Sequence, residues 1–318
     1  MRVAFMGTPD FAIPSLMALI EDSYDVVAVI TQPDRPKGRH GVLTPPPVKL
    51  LALQHNIPVF QPLKIKNRDF FPVVERLNPD IIVVVAYGQI ISKEILDLPP
   101  KRCINIHASL LPKYRGSAPI NWALINGEKV TGVTSMIVTE GLDSGPILLK
   151  KEIPIADHDD ARSLHDKLSE AGGRLLLETM SGIKSGTLTP IPQDESEATY
   201  FPMLKKSDGL IDWTKDASEI RNRIKGLMPW PGAYTYLHGE MLKIFKAEVT
   251  SGQWPVVSGQ FFSPGTVVEL NDNGIVVAAR KDCIMINELQ MEGKRRMTAA
   301  EFIRGHKIEK GMVLGSNV

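Results

Sequence analysis

Residues 81–85 read Ile-Ile-Val-Val-Val, with Asp80 before them and Ala86-Tyr87-Gly88 after. A run this short, apolar and β-branched has no polar face, so it suits a strand covered on both sides. Such strands belong to parallel sheets with helices on each face, and the neighbouring sequence keeps that rhythm. "RVAFMG" (2–7) and "DVVAVIT" (25–31) read as strands separated by "FAIPSLMALIED", whose apolar spacing is helical. "VKLLALQHN", "IPVF" and "FFPVVERLN" continue as helix, strand and helix; "CINIH" is the strand after the apolar run, and "APINWALING" the helix after that. "TGVTSMIVTE" (131–140) and "PILLKKEIPI" (146–155) add two strands before the long amphipathic "ARSLHDKLSEAGGRLLLETMSGI". The alternation predicts an α/β domain over residues 1–186, a Rossmann-like, doubly wound, mostly parallel sheet.

The chain has 318 residues, more than the ~250 at which single cores usually stop growing, so a second domain is expected. Hydrophobic periodicity fades in the polar, proline-containing stretch that follows the long helix, and 187–207 reads as a linker. Beyond it, "DASEIRNRIKGLM" reads as a helix. "YTYLHG", "MLKIFKAEV", "GTVVEL", "GIVVAA" and "CIMINEL" read as short strands broken by turn residues, which predicts a small OB-like β-barrel over 208–318.

Only Cys103 and Cys283 are present, too few for a disulfide framework or a thiolate zinc site. No apolar run approaches the roughly 18 residues of a membrane span. The opening "MRVAFMGTPDF" lacks the apolar core and cleavage site of a signal peptide, so a cytoplasmic protein with no membrane partner is expected. A net charge of +1 names no nucleic-acid partner by itself; local clusters would have to do so. Two stand out: Arg35, Lys37, Arg39 and His40 in "PDRPKGRH", and a later set that includes Lys205, Lys206 and Arg221. Either is also compatible with ordinary solvated surface charge.

Side chains at i and i+2 of a strand share a face, so Asn105 and His107 in "CINIH" form one polar patch. The patch lies at a strand end followed at once by a loop, where open α/β sheets place ligands. It is either a polar pair satisfied in the core or a catalytic pair presented at the sheet edge. Asp143 in "EGLDSGP" follows another strand end, as a turn former or as a third member of that constellation. Together the three supply a neutral donor, a titratable group and a carboxylate to orient it. Ser109 lies nearby without a GxSxG elbow, which disfavours a covalent hydrolase. "GTPDF" (7–11) stands where a dinucleotide fold would carry GxGxxG, so nicotinamide binding lacks its fingerprint. "HDD" (158–160) and His165 read better as helix capping than as metal ligands.

"GTPDF", "TQPDRPKGR", "VVVAYG", "INIHASLLPKYRGSAPI", "TGVTSM", "GLDSGP", "IDW" and "PWPGAY" occur in this order along nearly the whole chain. In this the chain resembles the methionyl-tRNA formyltransferase family of folate-dependent formyltransferases. One departure is Ala108, where many relatives carry glycine. The resemblance implies formyl transfer from 10-formyltetrahydrofolate, as co-substrate, to methionine on initiator methionyl-tRNA, with no metal. It implies that Asn105, His107 and Asp143 are catalytic. It places folate against Ala86, Tyr87 and Gly88 and against Ser109, Leu110, Leu111 and Pro112. Arg35, Lys37 and Arg39 match the family's tRNA-acceptor loop, with Lys205, Lys206 and Arg221 expected to hold RNA from the second domain. The alternatives are a formyltransferase for a sugar amine or glycinamide ribotide, a formyltetrahydrofolate hydrolase, or a non-catalytic RNA-binding module. A monomer is the default expectation.

Overall fold

The computed structural model describes residues 1–38, 41–250, 256–257 and 260–315. The chain divides into two compact units, one of 1–119, 130–155 and 164–201, the other of 120–129, 156–163 and 202–318.

The first unit contains β1 (Arg2–Gly7), α1 (Ile13–Glu21), β2 (Asp25–Ile30), β3 (Arg35–Lys37), β4 (Val42–Thr44), α2 (Pro47–Gln54) and β5 (Val59–Phe60). It continues with α3 (Phe71–Leu77), β6 (Ile81–Val85), α4 (Lys93–Asp97), β7 (Cys103–His107) and β8 (Arg115–Gly116). Helix α5 (Pro119–Ile125) falls mostly in the second unit; β9 (Val130–Ile137), β10 (Ile147–Pro154), α6 (Ala161–Ser185) and β11 (Tyr200–Phe201) complete the first.

Seven strands form one sheet in the order β10-β9-β7-β6-β1-β2-β5. From β5 to β7 the pairs are parallel, whereas β9 runs antiparallel to β7 and β10 antiparallel to β9. The apolar run at 81–85 is β6, near the middle of the sheet, with all five side chains buried. Burial of each such side chain stabilises the fold by about 1.5–3 kcal/mol, which is why this run anchors the sheet. The proline- and glycine-rich stretch after β2 holds the β3–β4 hairpin, where sequence periodicity suggests only loop. Lys49 and Gln61 both bond the Asp34 carboxylate beside β3, and these hydrogen bonds hold Asp34 below the usual carboxylate range.

Residues 187–201 pack into the first unit instead of leaving it: Ile191 bridges to Ile147, and β11 pairs in parallel with β8. The unit boundary falls after Phe201.

The second unit has α7 (Ala217–Gly226), β12 (Ala233–Leu237), β13 (Glu240–Thr250), β14 (Val256–Val257), β15 (Gln260–Phe261), β16 (Val267–Asn271), β17 (Gly274–Ala278), β18 (Cys283–Met291), β19 (Met297–Thr298) and α8 (Ala299–Gly305). Its antiparallel sheet runs β12-β13-β18-β17-β16, with β19 added on β18. The Asp216 and Glu219 side chains close a capping box at the start of α7, and Thr298 and Glu301 do the same for α8. Among the described residues no helix is long and apolar enough to cross a membrane.

Candidate active site

Strand β7 carries Asn105 and His107 on one face at the end of the parallel part of the sheet. Across the ladder Asn105 is paired with Val84 on β6 and Met136 on β9, both buried and apolar. Its amide is half-buried between these walls, and among the described residues no protein group hydrogen-bonds to it. An amide so placed can offer its N–H to a substrate oxygen.

His107 is 8% exposed. Its Nε2 lies 3.1 Å from the Tyr114 carbonyl oxygen. A carbonyl only accepts, so Nε2 carries hydrogen and donates. Nδ1 lies 3.8 Å from Asp143 Oδ1, and this contact is an ion pair when Nδ1 also carries a proton. The other oxygen of Asp143 accepts the Gly116 N–H at 2.8 Å. Gly116 is there because its φ is +96° and a Cβ would come within 2.7 Å of the Phe201 carbonyl oxygen. The structure therefore brings Asp143, distant in sequence, to the strand end that carries Asn105 and His107.

The loop after β7 is closed by its own hydrogen bonds. Ser109 is fully buried and donates from Oγ to the Lys113 carbonyl at 2.7 Å, which occupies it as a turn former and not as a nucleophile. Thr134, opposite His107 on β9, donates to the Ser109 carbonyl and accepts the Leu111 N–H. Thr134 is a supporting residue that strand reading alone did not single out; its trace in the sequence is the "TGVTSM" segment. Leu111 and Pro112 are buried and Leu110 half-buried, so this side of the site is an apolar wall.

At the end of β6, Ala86 and Gly88 have φ of +48° and +79°, and both are exposed. Tyr87 between them points inward to the core beside Met6, Ile30 and Cys103, and burial pushes its phenol pKa up. Only the Tyr87 backbone is left to the site. Gln32 donates to the Tyr87 and Gly88 carbonyls and Thr8 to that of Tyr87, so the turn is held from behind while Ala86 faces out. An exposed backbone turn on one side and apolar Leu110 to Pro112 on another fit a flat heteroaromatic ligand edged by hydrogen-bonding groups.

Among the basic candidates, Arg35 is exposed on β3 and bonded to Gln32. Lys37 ends the same strand, and Arg39 lies outside the described residues. Lys205 and Lys206 are exposed. Arg221 is partly buried, with its guanidinium bonded to Asp157, whose carboxyl is held below the usual range by that hydrogen bond. The Asp160 carboxylate accepts the N–H groups of Arg162 and Ser163, and Asp159 that of Ala156, so "HDD" caps α6. Among the described residues no cluster of three or more His, Cys, Asp or Glu side chains is placed to hold a metal.

Residues 1–180 match the family described as formyl transferase, and 203–307 match its C-terminal domain. The methionyl-tRNA formyltransferase of Citrifermentans bemidjiense is 50% identical over 99% of this chain and 96% of its own length. That of Acetivibrio thermocellus is 48% identical over 99% of this chain and the whole of its own. The chain belongs to the methionyl-tRNA formyltransferase family. Among solved structures, WlaRD, a sugar 3N-formyltransferase solved with dTDP and 5-N-formyl-THF, superposes with a TM-score of 0.68 at 21% identity, covering 93% of this chain and 99% of that one. At that identity the likeness shows a shared formyltransferase fold. HypX from Aquifex aeolicus, solved with tetrahydrofolic acid, has a TM-score of 0.60 at 19% identity over 98% of this chain and 50% of its own.

Proposed function

We propose that this chain transfers the formyl group of 10-formyltetrahydrofolate to the α-amino group of methionine on initiator tRNA, and so serves translation initiation. The observation that carries the reading is the meeting of Asn105, His107 and Asp143 at one sheet edge, in a chain about half identical to methionyl-tRNA formyltransferases along its length. The folate co-substrate supplies an activated formyl group.

A free α-amine has a pKa near ~7.8, so a usable fraction is nucleophilic at neutral pH and no covalent enzyme intermediate is needed. Its attack forms the new C–N bond while negative charge gathers on the formyl oxygen, and the bond to the folate nitrogen then breaks as that nitrogen takes up a proton and leaves as a neutral amine. Asn105 donates its amide N–H to that oxygen, and His107 is the second donor through a protonated Nδ1, which at 3.8 Å from Asp143 is not held in a full hydrogen bond there. Removing one such donor costs on the order of 10²–10³ in rate. Asp143 orients His107 and, directly or through water, takes up the proton the ammonium must lose.

Folate lies against the Ala86–Gly88 turn and the Ser109–Pro112 wall, its polar edge met by backbone groups. Arg35, Lys37, Arg39, Lys205, Lys206 and Arg221 hold RNA phosphate, so binding weakens steeply with salt. The protein acts as a cytoplasmic monomer.

The test mixes the protein with 10-formyltetrahydrofolate and methionyl-charged initiator tRNA and measures formylmethionine after ester hydrolysis, with elongator methionyl-tRNA as comparison. Formylation selective for the initiator is the expected result. Hydrolysis of formylfolate without transfer would retain the trio and discard the acceptor.

A further inference from the structure

The stretch that follows α6 is polar, lacks hydrophobic periodicity and reads as a connector, yet Gln193 within it is bonded to the turn that carries Asp143. We infer that Gln193 is a positioning residue for formyl transfer, its side-chain amide clamping the Asp143 turn where the carboxylate meets His107. The inference rests on Asp143 belonging to the reacting site.

Gln193 Nε2 donates to the Asp143 and Gly145 carbonyls, each at 2.8 Å. Its Oε1 accepts from Arg115 Nε at 3.1 Å and Nη2 at 2.8 Å. All four contacts agree with one orientation of the amide. The flipped amide would set its NH₂ against a guanidinium and its oxygen against two carbonyls, so the orientation is decided by its partners.

Arg115 has no exposed side-chain surface and forks onto both oxygens of Glu195 at 2.8 Å, with Tyr200 as a further acceptor. The buried guanidinium, the exposed Glu195 carboxylate and the half-buried amide thus form one network anchored on 193–200, the stretch that sequence periodicity leaves blank.

The turn needs an outside tie. Asp143 has φ +49°, a left-handed conformation that glycine and, less often, Asp or Asn adopt. Gly145 sits so close to β9 that a Cβ would lie 1.8 Å from the Ile137 carbonyl oxygen. The two Gln193 bonds bracket this strained segment, while the Gly116 N–H holds the Asp143 carboxylate itself. Loss of the amide leaves the carboxylate present but free to drift, which weakens a step that depends on its placement more than substrate binding.

Gln193→Glu separates clamping from packing. The new carboxylate still pairs with Arg115 but repels the Asp143 and Gly145 carbonyls. We expect kcat to fall on the order of 10²-fold, the loss typical of about 1 Å of misplacement. KM for both substrates should stay within about twofold, and the melting temperature should fall by only about a few degrees, since two hydrogen bonds are lost while the apolar core is untouched. Gln193→Ala should lower kcat in the parent but cost nothing further in an Asp143→Asn background, since there is then no carboxylate left to place.

Parent-like kcat in Gln193→Glu, or an equal loss from Gln193→Ala in both backgrounds, would overturn the inference. Should Asp143→Asn itself keep full turnover, the assignment of Asp143 fails, and that failure is visible separately from any result at Gln193.

Discussion

The β7 end and the basic residues proposed to hold RNA present their polar groups in opposite ways. At the β7 end His107 and Asp143 are largely covered and tied to the protein, His107 to the Tyr114 carbonyl and Asp143 to the Gly116 N–H, while among the described residues the Asn105 amide has no protein hydrogen bond. Arg35 in the first unit and Lys205 and Lys206 in the second stand exposed. The difference is the one the proposed ligands would demand. A developing charge on one oxygen rewards donors already fixed in place, whereas a phosphate chain rewards positive charge almost wherever it can reach. Arg221 is the intermediate case, basic yet bonded to Asp157.

Four variants press on this contrast. The largest effect is expected for Asn105→Ala, which should lower kcat on the order of 10²–10³-fold with the circular-dichroism spectrum and melting temperature retained, because no protein hydrogen bond is lost. Near-normal turnover would break the contrast at its buried end.

Lys205→Ala with Lys206→Ala should leave turnover at saturating tRNA intact but weaken tRNA binding. The slope of log affinity against log salt should shrink by up to about 0.9 per lysine that contacts phosphate. Filter binding across a salt series measures it.

Arg221→Ala should change that slope less than either lysine, since its guanidinium is bonded within the protein. An equal change would mean that the Asp157 pair opens to receive RNA.

The smallest effect concerns pH. The hydrogen bonds from Arg115 hold the Glu195 carboxyl below its ordinary 4.5. A depressed folded-state pKa adds stability above the unfolded value and loses it as pH falls through the folded one. The difference in melting temperature between the parent and Glu195→Gln should therefore be constant near neutrality and close as pH drops below 4.5. A gap that persists in acid would assign the role of Glu195 to shape instead of charge.

Much of the first unit was legible because its elements announce themselves by period. The apolar run at 81–85 had to be an interior strand, and the i, i+2 spacing of Asn105 and His107 had to put both on one face. The β3–β4 hairpin and the pairing of β11 with β8 were not legible, since strands of two or three residues are too short to show alternation. The Tyr87 side chain was also misleading: a residue beside a site motif suggests a ligand contact, but the positive φ values on either side turn it into the core. Helix α8 left a readable mark, threonine at 298 and glutamate at 301, in a stretch whose periodicity was too short to draw the eye.

The sequence by itself determined which groups could do chemistry and which local face each would share, because strand and helix periods are set by backbone geometry. Only the tertiary structure decided that Asp143 would reach His107, that the Tyr114 carbonyl would set the histidine tautomer, and that Gln193, 50 residues beyond Asp143, would return to hold its turn. Those meetings depend on sheet order and on buried hydrogen-bond partners drawn from distant segments, and neither leaves a periodic trace along the chain.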